Sequence, residues 1–250
     1  MKGQEIIKDD DLTLTLKPHE SSHLIYFGKN DRFEVKGELG ESSSLVLEIV
    51  NLNKDNKEVN YKGSFKQDPS SKVKIVMVDF SPCDIKSDFV TDLDDGAEFY
   101  ADLASVAKNR ENKEFGFTVN HNKPNGKSLV KMFGVLKDSA SLAFEGASNI
   151  KRGAKKTVTR EEGHIADLSD DGKADVSPIL RIDEDDVKAS HAAALGKIPE
   201  DSLFYMMSRG LTKEEAAGLI TIGFLKPIVS EISDEKTRDA LIKYVESRQF

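Results

Sequence analysis

The chain has 250 residues, a net charge of −8, one cysteine and no tryptophan, and its 38% hydrophobic and 32% charged residues describe a folded protein with a modest core. The acidic balance weighs against nucleic-acid binding by phosphate neutralisation and against polybasic membrane contact. A lone Cys83 rules out an intrachain disulfide and a Cys-rich zinc cage, and the first residues, MKGQEIIKDDD, lack the apolar segment of a secretory signal.

In chain order, the apolar residues between Leu12 and His191 tend to alternate, as strands with one buried face require. Leu12, Leu14 and Leu16 show the pattern first, Leu45, Leu47 and Ile49 repeat it, and so do Phe115, Phe117 and Val119. Polar stretches at 37–44, 53–58, 67–71, 94–96, 120–127 and 169–173 read as turns. The segment 97–108 fits both helical and strand spacing, and strand is the reading taken here. Two all-β architectures fit: a sandwich of antiparallel hairpins, or a solenoid with a rung of about twenty residues, hinted at by glycines roughly ten apart from residue 134 onward.

After His191 the pattern becomes helical. Pro199 suits the first turn of a helix through Leu203, Phe204, Met206 and Met207 that Gly210 closes. Thr212 and Glu215 have capping-box spacing for a second helix, with Ala216, Leu219, Ile220 and Phe224 on one stripe and Pro227 as its end. A third helix opens near Ser233 and buries Leu241, Ile242 and Val245. The division expected is a β body over 1–191 and a helical subdomain over 192–250.

Familiar catalytic signatures fail on their own terms. Asn125-Gly126-Lys127-Ser128 resembles the end of a phosphate-binding loop, yet His121 stands where that loop needs its first glycine. The run 167–172 begins like a calcium loop, but its twelfth position is Pro178 in place of a bidentate carboxylate. Among the five histidines, His191 differs from the rest: in a strand it shares a face with Val187 and Ala189. An imidazole there suits iron or zinc, or packs as a neutral structural residue.

The segment Ile182 to Ile198, containing Asp185-Asp186-Val187-Lys188-Ala189-Ser190-His191, followed by Leu203-Phe204-Tyr205-Met206-Met207-Ser208-Arg209-Gly210-Leu211 and Glu215-Ala216, resembles the C-terminal signature of the SufB/SufD family of iron–sulfur cluster assembly proteins. Asn120-His121 with Ser128, then Gly134-Val135-Leu136-Lys137-Asp138 and Phe144-Glu145-Gly146, resemble the rungs before it, so the similarity spans roughly 115 to 230. The resemblance implies a mainly β fold, a right-handed parallel β-helix with a small C-terminal helical subdomain. It implies a non-enzymatic, SufD-like, cytoplasmic component of the SUF system, with the SufC ATPase as partner and SufB or a second copy of the chain as the other half of a dimer. On that resemblance His191 is a candidate iron–sulfur ligand at the dimer interface, and Phe204, Tyr205, Arg209 and Gly210 are a candidate SufC dock. The cluster is transient and not held by this chain alone, because SufB-type members act through a cysteine that has no counterpart here: Gly172, Lys173 and Ala174 stand in that neighbourhood and Cys83 lies elsewhere. The usual Ser-His-Gly is Ser-His-Ala, and family members are longer by an N-terminal helical domain and several rungs. The alternatives are a β-helix interaction paralogue without cluster chemistry, or a carbohydrate-active β-helix enzyme, for which 7% aromatics without tryptophan is a poor groove lining.

Overall fold

The computed structural model describes residues 4–8, 10–51, 53, 58–169 and 171–247; most of the turn expected at 53–58, and Asp170 of the acidic run at 167–172, lie outside them. In chain order the strands are β1 (Glu5–Ile7), β2 (Asp11–Leu16), β3 (Ser21–Gly28), β4 (Arg32–Leu39), β5 (Ser44–Asn51), β6 (Val59–Gln67) and β7 (Lys72–Asp79). They continue as β8 (Ile85–Leu93), β9 (Glu98–Ala107), β10 (Asn112–His121), β11 (Lys127–Leu136), β12 (Ser141–Ile150), β13 (Thr157–Asp167), β14 (Lys173–Ile182) and β15 (Val187–Lys197). Three helices follow, α1 (Glu200–Ser208), α2 (Lys213–Val229) and α3 (Glu235–Ser247). The segment that fitted two periods is therefore the strand β9.

Odd-numbered strands form one sheet in the order β1 to β15, and even-numbered strands form the other, from β2 to β14. Neighbours pair in parallel, as in β9 with β11 and β10 with β12. A chain that visits two facing sheets alternately and always in the same direction is a parallel β-helix, which decides the solenoid against the sandwich. Partners one rung apart are separated by 23 residues at Ser21 and Ser44 and by 31 at Ser128 and Thr159. The rung is longer than the glycine spacing implied, because each turn of the solenoid holds two strands of up to 10 or 11 residues and the turns between them.

The inward parity of each strand fills the lumen. Phe33 and Tyr26 stack at 3.9 Å between ring centres, Phe89 and Phe117 stack at 5.6 Å, and Phe115 meets Phe144 at 6.0 Å. At one corner the backbone turns through left-handed residues in successive rungs: Ser42, Ser70, Gly96 and Asn125 all have φ between 56° and 65°. The N–H of Ser42, Ser70, Gly96 and Asn125 donates to the carbonyl of Pro69, Asp95, Pro124 and Lys155 of the next rung, so the corner is itself a hydrogen-bonded ladder.

The helices lie along the flank of the odd sheet, with α2 against β7, β9 and β11. The cause is legible in the strands. Ile75 to Val78 of β7 and Ala101 to Ala107 of β9 are apolar or small on both parities, save Asp102 and Ser105, and buried throughout, the mark of a strand covered on both faces. Outward-facing Val76, Val78, Ala104, Val106 and Val135 form a second core with Ala217, Leu225, Ile228 and Val229 of α2 and Leu241 and Val245 of α3. Buried Glu48 pins this layer by accepting from the Ser233 N–H at 3.1 Å, while His23 Nε2 lies 2.7 Å from the same carboxylate. The capping box at Thr212 and Glu215 forms as expected. Two readings of α2 need correction: the helix runs through Pro227 to Val229, since a proline in the last turn removes only one backbone donor, and while Ala216 is buried and Phe224 packs against the second core as expected, the covered face continues through Ala217, Thr221, Leu225 and Ile228 and leaves Leu219 at the surface.

Candidate functional site

β15 continues past His191 to Lys197, so the signature histidine sits in the middle of the last strand of the odd sheet. β14 and β15 each pair on one side only among the described strands. The solenoid thus ends on two strand edges with main-chain donors and acceptors unpaired along them.

Register decides where His191 points. It is paired with Glu161 of β13, just as Val187 is paired with Thr157 and Ala189 with Thr159. In-register residues of parallel neighbours point to the same face, and Thr157, Thr159 and Glu161 are all buried in the lumen. His191 therefore belongs to the lumenal column, exposed only because no rung follows it.

Beside the apolar Met132, Leu142, Phe144 and Ile165, the lumen of the last rungs also holds a chain of buried polar side chains. His121 Nε2 lies 3.0 Å from the Ser128 hydroxyl, Ser128 lies 2.6 Å from Thr159, and Thr159 lies 2.8 Å from Ser148, all four being buried. Gly126 leaves the space the imidazole of His121 occupies, since a Cβ there would come within 2.7 Å of Nδ1. Burial holds the His121 ring neutral by lowering its pKa to about 4.

Glu161 completes the column. Its residue is 1% exposed, and neither carboxylate oxygen makes a hydrogen bond. Burial pushes its carboxyl up to about 7, and Ser148 and the backbone at Ile179 lie near enough to offset part of that rise without reaching bonding geometry. The carboxylate reaches across the lumen toward β12, where Gly146 leaves room: a Cβ at Gly146 would stand 3.1 Å from Oε2. Sequence reading missed Glu161. The available signal was its parity, a carboxylate on the side of Thr157, Thr159 and Ile165 while Arg160, Glu162 and His164 take the other.

The remaining candidates gather on the helical layer. In α1 the side chain of Leu203 packs toward the second core, while Phe204 is 72% exposed and Tyr205 59%. Arg209 caps the helix, stacks over the Tyr205 ring and donates to its hydroxyl at 3.0 Å. Gly210 has φ 97°, a left-handed conformation that suits glycine and ends the helix. Next to them Leu211, Gly218, Leu219 and Ile222 line an open apolar groove on α2. Phe204, Tyr205, Arg209 and Gly210 are therefore together on one exposed surface, and His191 is on another feature, the strand end. Cys83 is buried between β7 and β8, in a rung well before the last, with its thiol toward the Asn53 carbonyl at 3.8 Å. Among the described residues no three His, Cys, Asp or Glu side chains gather as a metal site, and no helix is long and apolar enough to cross a membrane.

Comparison with known proteins agrees with this architecture. Residues 35–224 match the family described as SUF system FeS cluster assembly, SufBD core domain. The chain is similar to the iron–sulfur cluster assembly protein SufD of Bacillus subtilis, with 38% identity over 151 residues, which are 60% of this chain and 35% of that protein. It is also similar to a SufBD-family iron–sulfur cluster assembly protein of Staphylococcus saprophyticus, 29% identical over 123 residues covering 49% of this chain and 26% of the relative. A SufBD-family protein of Mycobacterium tuberculosis is 30% identical over 125 residues, 50% of this chain and 15% of its own length. The matches thus span about a third or less of these relatives. The matched region takes in the solenoid from β4 onward, the lumenal column that ends at His191, and α1, and the chain belongs to the SufBD core family of the SUF iron–sulfur cluster assembly system.

Proposed function

We propose that the chain is a SufD-like, non-enzymatic scaffold of the SUF machinery, working in the cytoplasm. It pairs through the uncovered edges of β14 and β15 with SufB or with a second copy of itself. The SufC ATPase docks on the helical layer through Phe204, Tyr205, Arg209 and Gly210. The cluster is cargo, assembled at the pair's interface and passed on, and His191 contributes a ligand to it from this side. A thiolate has to come from the other subunit, since Cys83 is buried in an earlier rung.

The observation that carries this reading is the placement of His191 on the lumenal face of a terminal strand with one unpaired edge, in a chain whose family is established. A structural histidine is expected to be enclosed; this one is exposed. The exposed aromatics of α1 support the second part, because large apolar side chains at the surface mark contact sites when they cluster.

Two measurements test the proposal. Purified chain should retain SufC in a pull-down and change its ATPase rate, and Phe204→Ala with Tyr205→Ala should abolish both; an unaltered ATPase rate and no retention by the wild-type chain would remove the scaffold reading. Anaerobic reconstitution with iron and sulfide in the presence of SufB should lose iron on His191→Ala, and unchanged iron would leave His191 with a packing role only.

A further inference from the structure

The helix α2 is apolar on both sides, a composition that suits an enclosed helix, yet only one side is covered. Ala217, Leu225 and Ile228 pack in the second core, while Leu219 is 47% exposed and lines the open groove with Leu211 and the half-buried Ile222. Gly218 lies in the same groove. Glycine is unfavourable inside a helix, and where the solenoid keeps one a neighbour demands it: a Cβ at Gly37 would stand 2.7 Å from the Phe65 ring. A Cβ at Gly218 would meet nothing within 4 Å, so no group in this chain requires the missing side chain. What the glycine does provide is room for a second backbone to come close from outside. The rest of the groove lining is acidic, with Glu214, Glu215 and Glu246 and no basic side chain. Glu215 has a task within the chain, accepting from the Thr212 N–H at 2.8 Å; Glu214 and Glu246 stand exposed at the rim.

We propose that this groove is the docking site of an amphipathic helix from a partner chain, one with a narrow apolar stripe and lysine or arginine on its flanks. From Glu214 to Ile222 the lining covers ~12 Å of helix, which matches two turns of a facing helix anchored at i, i+3 or i+4, and i+7. The stripe of the partner seats on Leu211, Leu219 and Ile222 and comes closest at Gly218, and its basic flanks meet the three carboxylates. Charge complementarity selects this occupant over others. A second copy of the helical layer would set three carboxylates against the same three, and an anionic membrane surface would meet the same repulsion. A small ligand is a poorer match, because the groove holds about 350 Å³, near the low end of enclosed ligand sites, and is open along α2. Phe204 and Tyr205, assigned above to the ATPase, do not line the groove, so this surface goes beyond that reading and differs from it in chemistry.

The test is a titration of the full chain into a fluorescein-labelled designed peptide of about 18 residues, long enough to hold a helix in water, with a leucine and alanine stripe flanked by lysines. Binding is read by fluorescence anisotropy, and a second peptide carries glutamate at every lysine position. The lysine peptide should bind at least about tenfold more tightly than the glutamate peptide, with the gap closing as salt is raised. Gly218→Leu fills the groove at unchanged charge and should weaken the lysine peptide at least about tenfold. Leucine is the better helix former, so the melting temperature of that variant should be no lower than that of the wild type, and lost binding is then not lost folding. Glu246→Lys should weaken binding, whereas Glu145→Lys, at an exposed position of β12, should leave it unchanged. A wild-type chain that binds neither peptide or both alike, or a Gly218→Leu chain that binds as tightly as the wild type, overturns the assignment. So do equal losses from Glu246→Lys and Glu145→Lys, the mark of a general attraction between an acidic chain and a cation. The titration contains no SufC, so a failed peptide titration and a failed SufC pull-down strike separate statements.

Discussion

Two buried polar clusters occupy the same solenoid and end differently. In the middle rungs Lys113 is 0% exposed, and its ammonium donates to Asp79 Oδ2 at 2.6 Å and to the Ser81 carbonyl at 2.7 Å. Asn51 and Ser81 donate to the other Asp79 oxygen, at 2.8 and 2.7 Å. Each of these groups is matched, and the cluster is closed off by rungs on both sides. At the C-terminal end the hydroxyl chain from His121 reaches Ser148 and stops short of Glu161, which is left unmatched beneath an open rung. A satisfied buried charge is a building element of the fold. An unsatisfied one weighs against the fold that encloses it.

If that distinction is right, the two clusters respond oppositely to losing a charge. Lys113→Met leaves Asp79 buried without its cation and should destabilise the chain by about 3–5 kcal/mol in urea unfolding, with Asp79→Asn in the same chain recovering part of the loss. Equal losses in the single and double variants would show that the ion pair is not what matters there. Glu161→Gln should do the reverse. The carboxyl is raised from 4.5 to about 7, so the folded state holds this proton longer than the unfolded chain does. Its contribution is intact below about pH 4.5 and is lost as pH climbs through 7, costing up to about 3 kcal/mol above that. The glutamine variant should regain roughly 1–2 kcal/mol of it at pH 8, because the amide is itself left without partners, and nothing at pH 4.5. His121 has the opposite slope: its ring is lowered from 6.5 to about 4, so stability falls as pH drops from 6.5 toward 4, and His121→Gln should flatten that limb. A smaller effect belongs to the helical layer, where Thr212→Ala removes the bond from the Glu215 N–H at 3.1 Å and should cost about 1 kcal/mol.

The same contrast explains what could be read from the residues alone. Alternation made the strands visible, and the resemblance, not the periodicity, selected the solenoid, because a strand in a sandwich and one in a β-helix alternate alike. The flank that receives the helices was present in the unbroken run from Ile75 to Val78 and in 97–108, where two periods competed because both faces are covered. What remained hidden depends on register. Glu161 and His191 are 30 positions apart in the chain and become neighbours only once β13 and β15 are aligned, and no local pattern states that alignment. Leu219 fell in the expected stripe of α2 for a related reason: Leu219 and Ala217 both fit helical spacing, and the sheet beneath, with Val106 and Val135, decides which is covered.

The smallest stability effect expected is also the one that separates surface from core within a single helix. Leu203 packs toward the second core and Phe204 stands in solvent on the adjacent position of α1. Leu203→Ala should loosen α1 by about 1–2 kcal/mol, a partial burial's share of a leucine's transfer energy, and should lower SufC retention only as far as the helix frays. Phe204→Ala should change the unfolding free energy by no more than about 0.5 kcal/mol, because most of that ring is already in solvent in the folded chain. Retention of SufC should nevertheless drop further for Phe204→Ala than for Leu203→Ala. If the order is reversed, the aromatic surface of α1 is incidental and the dock lies along the groove of Leu211, Gly218 and Ile222, where Gly218→Glu is the next substitution to measure.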